Sequence, residues 1–194
     1  WIASSAGVIN IGFTEKGISS SVVYDSSKTT FRSDDIEALA FDQNGAGYFA
    51  TPRGIGILLL GAWKFYTRLI DVVRNEFTSV MAKGDTVYFG TRGEGVARIV
   101  KRPDAYTGAS SYVTPWSALT GDSITCIFVD SRGYQCYGST KGLSRHSNTE
   151  AKEGWDFFLT DRLPDEHVCT ITEDDLGNFW IGTTGGMVRL SRDL

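Results

Sequence analysis

A tight-turn signature recurs along this chain at nearly constant spacing. Its clearest copy runs Asp174, Gly177, Trp180, Thr183 and Gly186: an acid, a glycine, an aromatic residue, a small hydroxyl residue and a second glycine, each three positions after the last. Asp42, Gly45, Tyr48, Thr51 and Gly54 repeat it, and so do Asp130, Gly133, Ser139 and Gly142, with Cys136 in the aromatic slot. Tyr88, Thr91 and Gly95 form a looser copy, in which Ala82 and Asp85 replace the acid and the first glycine. The chain opens inside a fifth copy with Trp1, Ser4 and Gly7. The aromatic slots fall at positions 1, 48, 88, 136 and 180, so the steps are 47, 40, 48 and 44 residues. A repeat of this length is one supersecondary unit that cannot bury its own apolar face, so neighbouring units must stack.

The turn chemistry says what each unit is. An Asp side chain caps its own backbone, and Gly supplies a positive φ, so Asp-x-x-Gly marks a tight turn between strands. Apolar runs rich in β-branched and aromatic residues flank each turn, at 36–41, 124–129 and 168–172 before it and at 47–51, 87–91, 134–139 and 178–183 after it. A third set follows the Thr-x-x-Gly turn, at 8–13, 55–60, 96–100 and 187–190, and a fourth lies at 21–24, 63–66, 111–113 and 155–159. No amphipathic helical period of useful length appears; residues 68–76 come nearest and read as a connecting loop. A period of about 40 to 50 residues with four strands per unit is the signature of a propeller blade. The sequence therefore predicts an all-β propeller of four-stranded antiparallel blades. Residues 1–194 form one domain, with repeat units at about 1–33, 34–75, 76–121, 122–165 and 166–194. Naming the strands a to d from the inside outward, the first unit lacks strand a and the last lacks strand d. A five-bladed ring with incomplete end blades is the expectation, and part of a seven-bladed propeller is the alternative.

Composition bounds the partners. A net charge of −4 disfavours nucleic acid. No apolar run is long enough to span a membrane; residues 55–60 are far too short. The cysteines Cys126, Cys136 and Cys169 all lie in strand runs and are expected to be small buried hydrophobes, with a Cys126–Cys136 bridge across one hairpin conceivable. There is no Cys-x-x-Cys and no Cys/His cluster, so neither metal nor cofactor is predicted.

Leu163-Pro164-Asp165, the strand Val168-Cys169-Thr170-Ile171 and the run Asp174 to Leu190 together resemble the repeat of the two-component-regulator propeller family. The copies around Asp130 and Asp42 share its frame, and the copy around Tyr88 departs from it. The resemblance implies the periplasmic sensor portion of a bacterial histidine kinase or hybrid two-component system. It further implies a periplasmic or extracellular location, signal transduction and carbohydrate sensing. The membrane span, linker β-domain and kinase of such proteins are not among these residues.

The conspicuous residues of the repeat are those that folding explains. Asp42, Asp130 and Asp174 occupy one equivalent turn, and a carboxylate repeated by the fold is a cap. The aromatic slots read as packing between blades. Function is expected on the loops instead. In a meandering blade the b-to-c and d-to-a loops share one face. The b-to-c loops carry Arg53, Arg92 and Lys141, and the d-to-a loops carry Asp34, Asp35, Arg74, Glu76, Asp122, Glu166 and His167. Arg53, Arg92, Lys141, Glu166 and His167 are the predicted ligand contacts, the three cations acting as donors to a polar ligand or oligosaccharide. A protein partner fits the same face. No nucleophile motif such as Gly-x-Ser-x-Gly appears, so the leading reading is a binding domain and not an enzyme. The alternatives are a lyase acting on a polysaccharide or lactone through His167, and a structural interaction platform. His146, in Ser144-Arg145-His146-Ser147, reads as an exposed strand residue.

Overall fold

Each repeat folds into an antiparallel meander, and five meanders stand side by side. The computed structural model describes residues 1–67, 76–102, 105–112, 119–149, 152–158 and 161–192, with side chains for 1–67, 76–101, 119–147, 154–156 and 161–192. In chain order the strands are β1 (Ile2–Ser4), β2 (Gly7–Thr14), β3 (Gly17–Tyr24), β4 (Ala38–Phe41), β5 (Gly47–Thr51), β6 (Gly54–Leu59), β7 (Ala62–Tyr66), β8 (Phe77–Lys83) and β9 (Thr86–Thr91). They continue as β10 (Val96–Arg102), β11 (Ala105–Tyr112), β12 (Ile124–Val129), β13 (Gln135–Ser139), β14 (Gly142–Thr149), β15 (Lys152–Phe158), β16 (Val168–Glu173), β17 (Phe179–Thr183) and β18 (Gly186–Leu190). The sheet orders are β1-β2-β3, β4-β5-β6-β7, β8-β9-β10-β11, β12-β13-β14-β15 and β16-β17-β18. The all-β propeller architecture is as predicted, with three four-stranded sheets between two three-stranded ones among the described residues. Strand β11 covers Ala105–Tyr112 where the sequence suggested 111–113. Residue 113, residues 68–75 of the expected loop and residue 159 lie outside the described residues.

The turn chemistry works as read. Gly45, Gly133 and Gly177 adopt φ of 79°, 88° and 81° and donate their N–H to Asp42, Asp130 and Asp174 carbonyls at 3.0, 3.1 and 2.8 Å. In the second turn of each blade the hydroxyl residue closes on the following glycine carbonyl. Ser4, Thr51, Thr91, Ser139 and Thr183 donate to Gly7, Gly54, Gly95, Gly142 and Gly186 at 2.7 to 3.0 Å.

The core lies between the sheets. Val8, Phe31, Ile36 and Phe49 fill the first junction, and Tyr48, Ile55, Ile57, Phe77 and Phe89 the second. Tyr88, Val96, Ile124 and Tyr137 fill the third, and Cys136, Leu143, Val168, Phe179 and Ile181 the fourth. The aromatic slot of one sheet thus faces the next sheet, as expected of inter-blade packing. The innermost strands β8, β12 and β16 each carry a bulge after their first residue. The bulge turns Thr78 and Thr125 toward the next sheet, where their hydroxyls donate to the carbonyls of Ile124 and Val168.

All three cysteines are free. Cys126 stands opposite Gly138 and Cys136 opposite Phe128, so the two thiols are out of register for a bridge. Cys136 is buried, Cys126 half-buried and Cys169 exposed, contrary to the reading of all three as buried. Cys169 lies on β16 of the last sheet, where no neighbouring sheet covers it among the described residues.

Candidate functional site

The b-to-c turns and d-to-a loops do share one face, because their backbones are hydrogen-bonded to each other. Arg92 N donates to Glu76 O at 3.0 Å, Gly95 N to Asp122 O at 2.8 Å, Thr140 N to Ser123 O at 3.2 Å and Thr184 N to His167 O at 3.0 Å. The rim is therefore a stitched backbone that carries its side chains on fixed mounts.

The predicted cations occupy it in two different states. Arg92 is engaged: its Nη2 lies 3.3 Å from Glu37 Oε1 and its Nε 3.5 Å from Glu76 Oε2. Glu37 precedes the second sheet and Glu76 the third, so this guanidinium clasps two blades. Arg53 and Lys141 form no ion pair among the described residues. Each sits two positions past the hydroxyl residue, and its N–H donates to that hydroxyl, at 3.1 Å for Thr51 and 3.0 Å for Ser139. Both side chains are exposed. The Lys141 stem passes over Gly121, where an added Cβ would lie 3.2 Å from the lysine Cβ.

Glu166 is exposed and His167 half-buried. Asp165 organises their loop, accepting from His167 N at 2.8 Å and from Thr184 Oγ1 at 2.7 Å. The Thr184 hydroxyl, then the His167 N–H, hold the Asp165 carboxyl below its ordinary range. No hydrogen bond joins the His167 ring to a carboxylate among the described residues. Asp34 is taken up by the backbone and hydroxyl of Ser26, at 2.6 and 3.2 Å. Asp35 is exposed, Asp122 half-buried, and Arg74 lies outside the described residues. The structure brings Arg92 together with Glu76, and Arg53, Lys141, Glu166 and His167 lie on turns and loops of the same face with no hydrogen bond or ion pair to one another among the described residues. The Glu37 partner of Arg92 had no signal in the sequence, since the two are 55 residues apart.

A cleft of about 60 Å³, lined by Glu76, Thr91, Arg92 and Glu94, opens on this rim. It is well below the several hundred Å³ that enclose a typical small molecule.

The other histidine is elsewhere and differs from expectation. His146 is buried, its Nδ1 2.9 Å from Gln135 Oε1 and its ring 4.6 Å from that of Trp155. Its cross-strand neighbours on β13 and β15 enclose it.

Residues 162–185, the last turn repeat and its lead-in, match the family model described as two component regulator propeller. No curated protein matches the chain in sequence. Among solved structures, the extracellular domain of the hybrid two component system BT3049 from B. thetaiotaomicron superposes with a TM-score of 0.81 at 18% identity, covering 100% of this chain and 26% of that one. PorZ, a surface component of the type-IX secretion system of Porphyromonas gingivalis, gives 0.69 at 18% identity over 97% of this chain and 30% of that one. Virginiamycin B lyase from Staphylococcus aureus gives 0.64 at 16% identity over 97% of this chain and 71% of that one. The chain thus spans about a quarter of the BT3049 extracellular domain. One fold here occurs in an extracellular domain of a two component system, a secretion-system component and a lyase, so the likeness establishes the propeller and leaves function to the site. No helix among the described residues is long and apolar enough to cross a membrane.

Proposed function

We propose that this propeller is a non-catalytic, extracytoplasmic binding domain of the two-component sensor type, which takes a polar ligand on the rim built by its b-to-c and d-to-a loops. The observation that carries this reading is the contrast between Arg92 and the pair Arg53 and Lys141. All three are cations on hydroxyl-locked turns, but only Arg92 has carboxylate partners among the described residues. Arg53 and Lys141 keep their donors free on backbone already fixed by Thr51 and Ser139. Preorganised, unpaired donors lose little entropy on meeting an acceptor.

The small volume of this cleft favours a ligand laid across the rim over one enclosed in a pocket, which suits an acidic oligosaccharide. Glu166 and His167 supply acceptor and donor capacity at the end of that track. The resemblance of the last repeat to the sensor family, and the extracellular origin of BT3049, support a periplasmic or extracellular setting. Isothermal titration with oligogalacturonides and with neutral oligosaccharides of equal length tests the proposal. Acidic oligomers bind, neutral ones bind more weakly, and the double variant Arg53→Ala, Lys141→Ala loses at least about ten-fold in affinity, as expected for charge-assisted contacts. Unchanged affinity in the double variant would remove the basis of the assignment.

A further inference from the structure

The outermost strand of the first sheet has an open backbone edge, and one side chain covers part of it. β3 pairs only with β2, since the sheet order is β1-β2-β3. Along an antiparallel pair, successive residues turn both backbone groups toward the partner strand and then away from it. The carbonyl of Val23 points away, because Lys28 Nζ donates to it from outside the sheet at 2.9 Å. Alternation puts the N–H and C=O of Ser21 on the same open edge. Ser20, Val22 and Tyr24, opposite Gly12, Asn10 and Val8, turn theirs toward β2. Among the described residues, nothing outside the sheet hydrogen-bonds to the backbone of Ser21 or to the N–H of Val23.

A bare edge invites another strand, and proteins blunt it with charge, short strands or bulges. The other outermost strands follow that rule. β7 is five residues long with Lys64 at its centre, and β15 carries Lys152, Glu153 and Asp156. β11 is interrupted by a bulge between Thr107 and Ser110. β3 has no charged residue and no proline, and its own irregularity falls at Ser19, so residues 20–24 pair regularly. Val22 and Val23 are 41% and 37% exposed. Lys28 supplies from outside the charge that the strand lacks. It stands on a closed turn: Lys28 N and Thr29 N both donate to the Asp25 carbonyl, at 3.1 and 3.0 Å, and Ser27 N donates to Asp25 Oδ1 at 2.9 Å.

We propose that the edge of β3 is a self-association edge gated by Lys28. When the ammonium leaves the Val23 carbonyl, two copies of the chain pair β3 to β3, antiparallel, about a two-fold axis at Val22. That register sets Ser21 opposite Val23 of the second copy, and Val23 opposite its Ser21. Each of these pairs exchanges two backbone hydrogen bonds, using the outward groups and disturbing none within the sheet. Val22 meets its own counterpart in the closer, non-hydrogen-bonded type of pair, where β-branched side chains touch. A second copy is the occupant that the strand suits. Two-fold pairing sets the same patch against itself, and a strand without charge meets no like-charge repulsion there.

Sedimentation velocity over a range of concentrations, with amide exchange resolved by residue in NMR spectra, tests the proposal. The chain is expected to dimerise reversibly. In the dimer the amides of Ser21 and Val23 slow at least about ten-fold, while those of Val22 and Tyr24 are slow in both states. Lys28→Ala tightens the dimer at least about five-fold, because each dimer of the native chain must release two Lys28 hydrogen bonds. Ser21→Pro in the Lys28→Ala chain returns it to monomer with unchanged circular dichroism, since the N–H that it removes faces away from β2. Val22→Lys does the same by setting like charges across the axis. If neither substituted chain folds, the exchange rates decide alone. Three results overturn the proposal: monomer at every concentration in both the native and the Lys28→Ala chain, a dimer in which Ser21 and Val23 exchange at the monomer rate, or a folded Ser21→Pro or Val22→Lys chain that still dimerises.

Discussion

The Tyr48 hydroxyl donates to Asp42 Oδ2 at 3.0 Å, within the turn that the same carboxylate holds together. Asp42 Oδ1 accepts from Asn44 N at 2.8 Å and Ala46 N at 3.1 Å, and Lys101 reaches over from the third sheet to Oδ2. The last repeat does the same with a different ring, Trp180 Nε1 donating to Asp174 Oδ2 at 3.1 Å. In these two repeats the acid and the aromatic slot are thus one device, which fixes a turn and aims a packing side chain. Asp42→Ala leaves several donors without an acceptor and is expected to destabilise by about 2 to 4 kcal/mol. Tyr48→Phe removes a single bond and keeps the packing, for about 1 kcal/mol. Urea unfolding monitored by circular dichroism distinguishes the two; equal losses would show that the carboxylate is not the centre of the turn.

These carboxylates also give stability a pH dependence. Burial pushes the Asp42 carboxyl up, but Lys101, the N–H groups of Asn44 and Ala46 and the Tyr48 hydroxyl outweigh it, and the net direction is down. Asp174 is treated the same way: burial acts against it, yet the Asn178 side chain and N–H, Trp180 and the Leu176 N–H bring it to about 2 from 3.8. A carboxyl lowered on folding contributes stability that is complete above its unfolded value and is lost as pH falls through its folded value. Urea midpoints are therefore expected to hold down to about pH 4 and to fall between pH 4 and about 2. Asp174→Asn flattens that decline. An identical decline in the variant would show that other groups set it.

The fold was legible because its punctuation is local. Asp-x-x-Gly and Thr-x-x-Gly are written within a few residues, and each turn closes on itself, so sequence order alone exposes them. The third repeat shows the same logic in reverse: without the acid, Ala82 and Asp85 gave a loose match, yet β8 and β9 pair normally. Long-range partners were not legible. Nothing near Arg92 announces Glu37, and nothing near His146 announces that Gln135 and Trp155 will enclose it. Cys169 shows a third limit, because its strand pattern matches that of the buried Cys136 and yet it is exposed.

Ser79 illustrates a position where packing outranks hydrogen bonding. Its hydroxyl is buried with no partner among the described residues, and the equivalent residues in the adjoining sheets are Ala38 and Cys126. An unsatisfied buried hydroxyl carries a desolvation cost of about 1 kcal/mol or more. Ser79→Ala is therefore expected to raise stability by up to about 1 kcal/mol in urea titration. A loss of that size would reveal a hydrogen bond made by this hydroxyl.

The Arg92 clasp should matter little to stability despite joining two blades. The side chains of Arg92 and Glu76 are each 57% exposed, and such pairs are screened by solvent. Arg92→Ala is expected to cost at most about 1 kcal/mol, and less again in about 1 M salt, where the Debye length falls to about 3 Å. A larger, salt-independent loss would mean the rim depends on Arg92 for its shape and not only for its charge.

Thiol chemistry separates the last sheet from those before it. Burial pushes the Cys126 thiol up to about 12 and raises Cys136 as well, so neither forms thiolate at neutral pH. Cys169 is exposed, its Sγ only 3.8 Å from the His167 carbonyl and in contact with solvent. The thiolate is the reactive species, and exposure and ionisation act together to set its rate. At pH 8 the native chain is therefore expected to take one iodoacetamide label, at Cys169, while Cys126 and Cys136 react only after unfolding in urea. Labelling of all three at similar rates in native buffer would mean that the junction between the fourth and fifth sheets opens readily. That result would place the last blade at the low end of the molecule's local stability, instead of making it a firm continuation of the core.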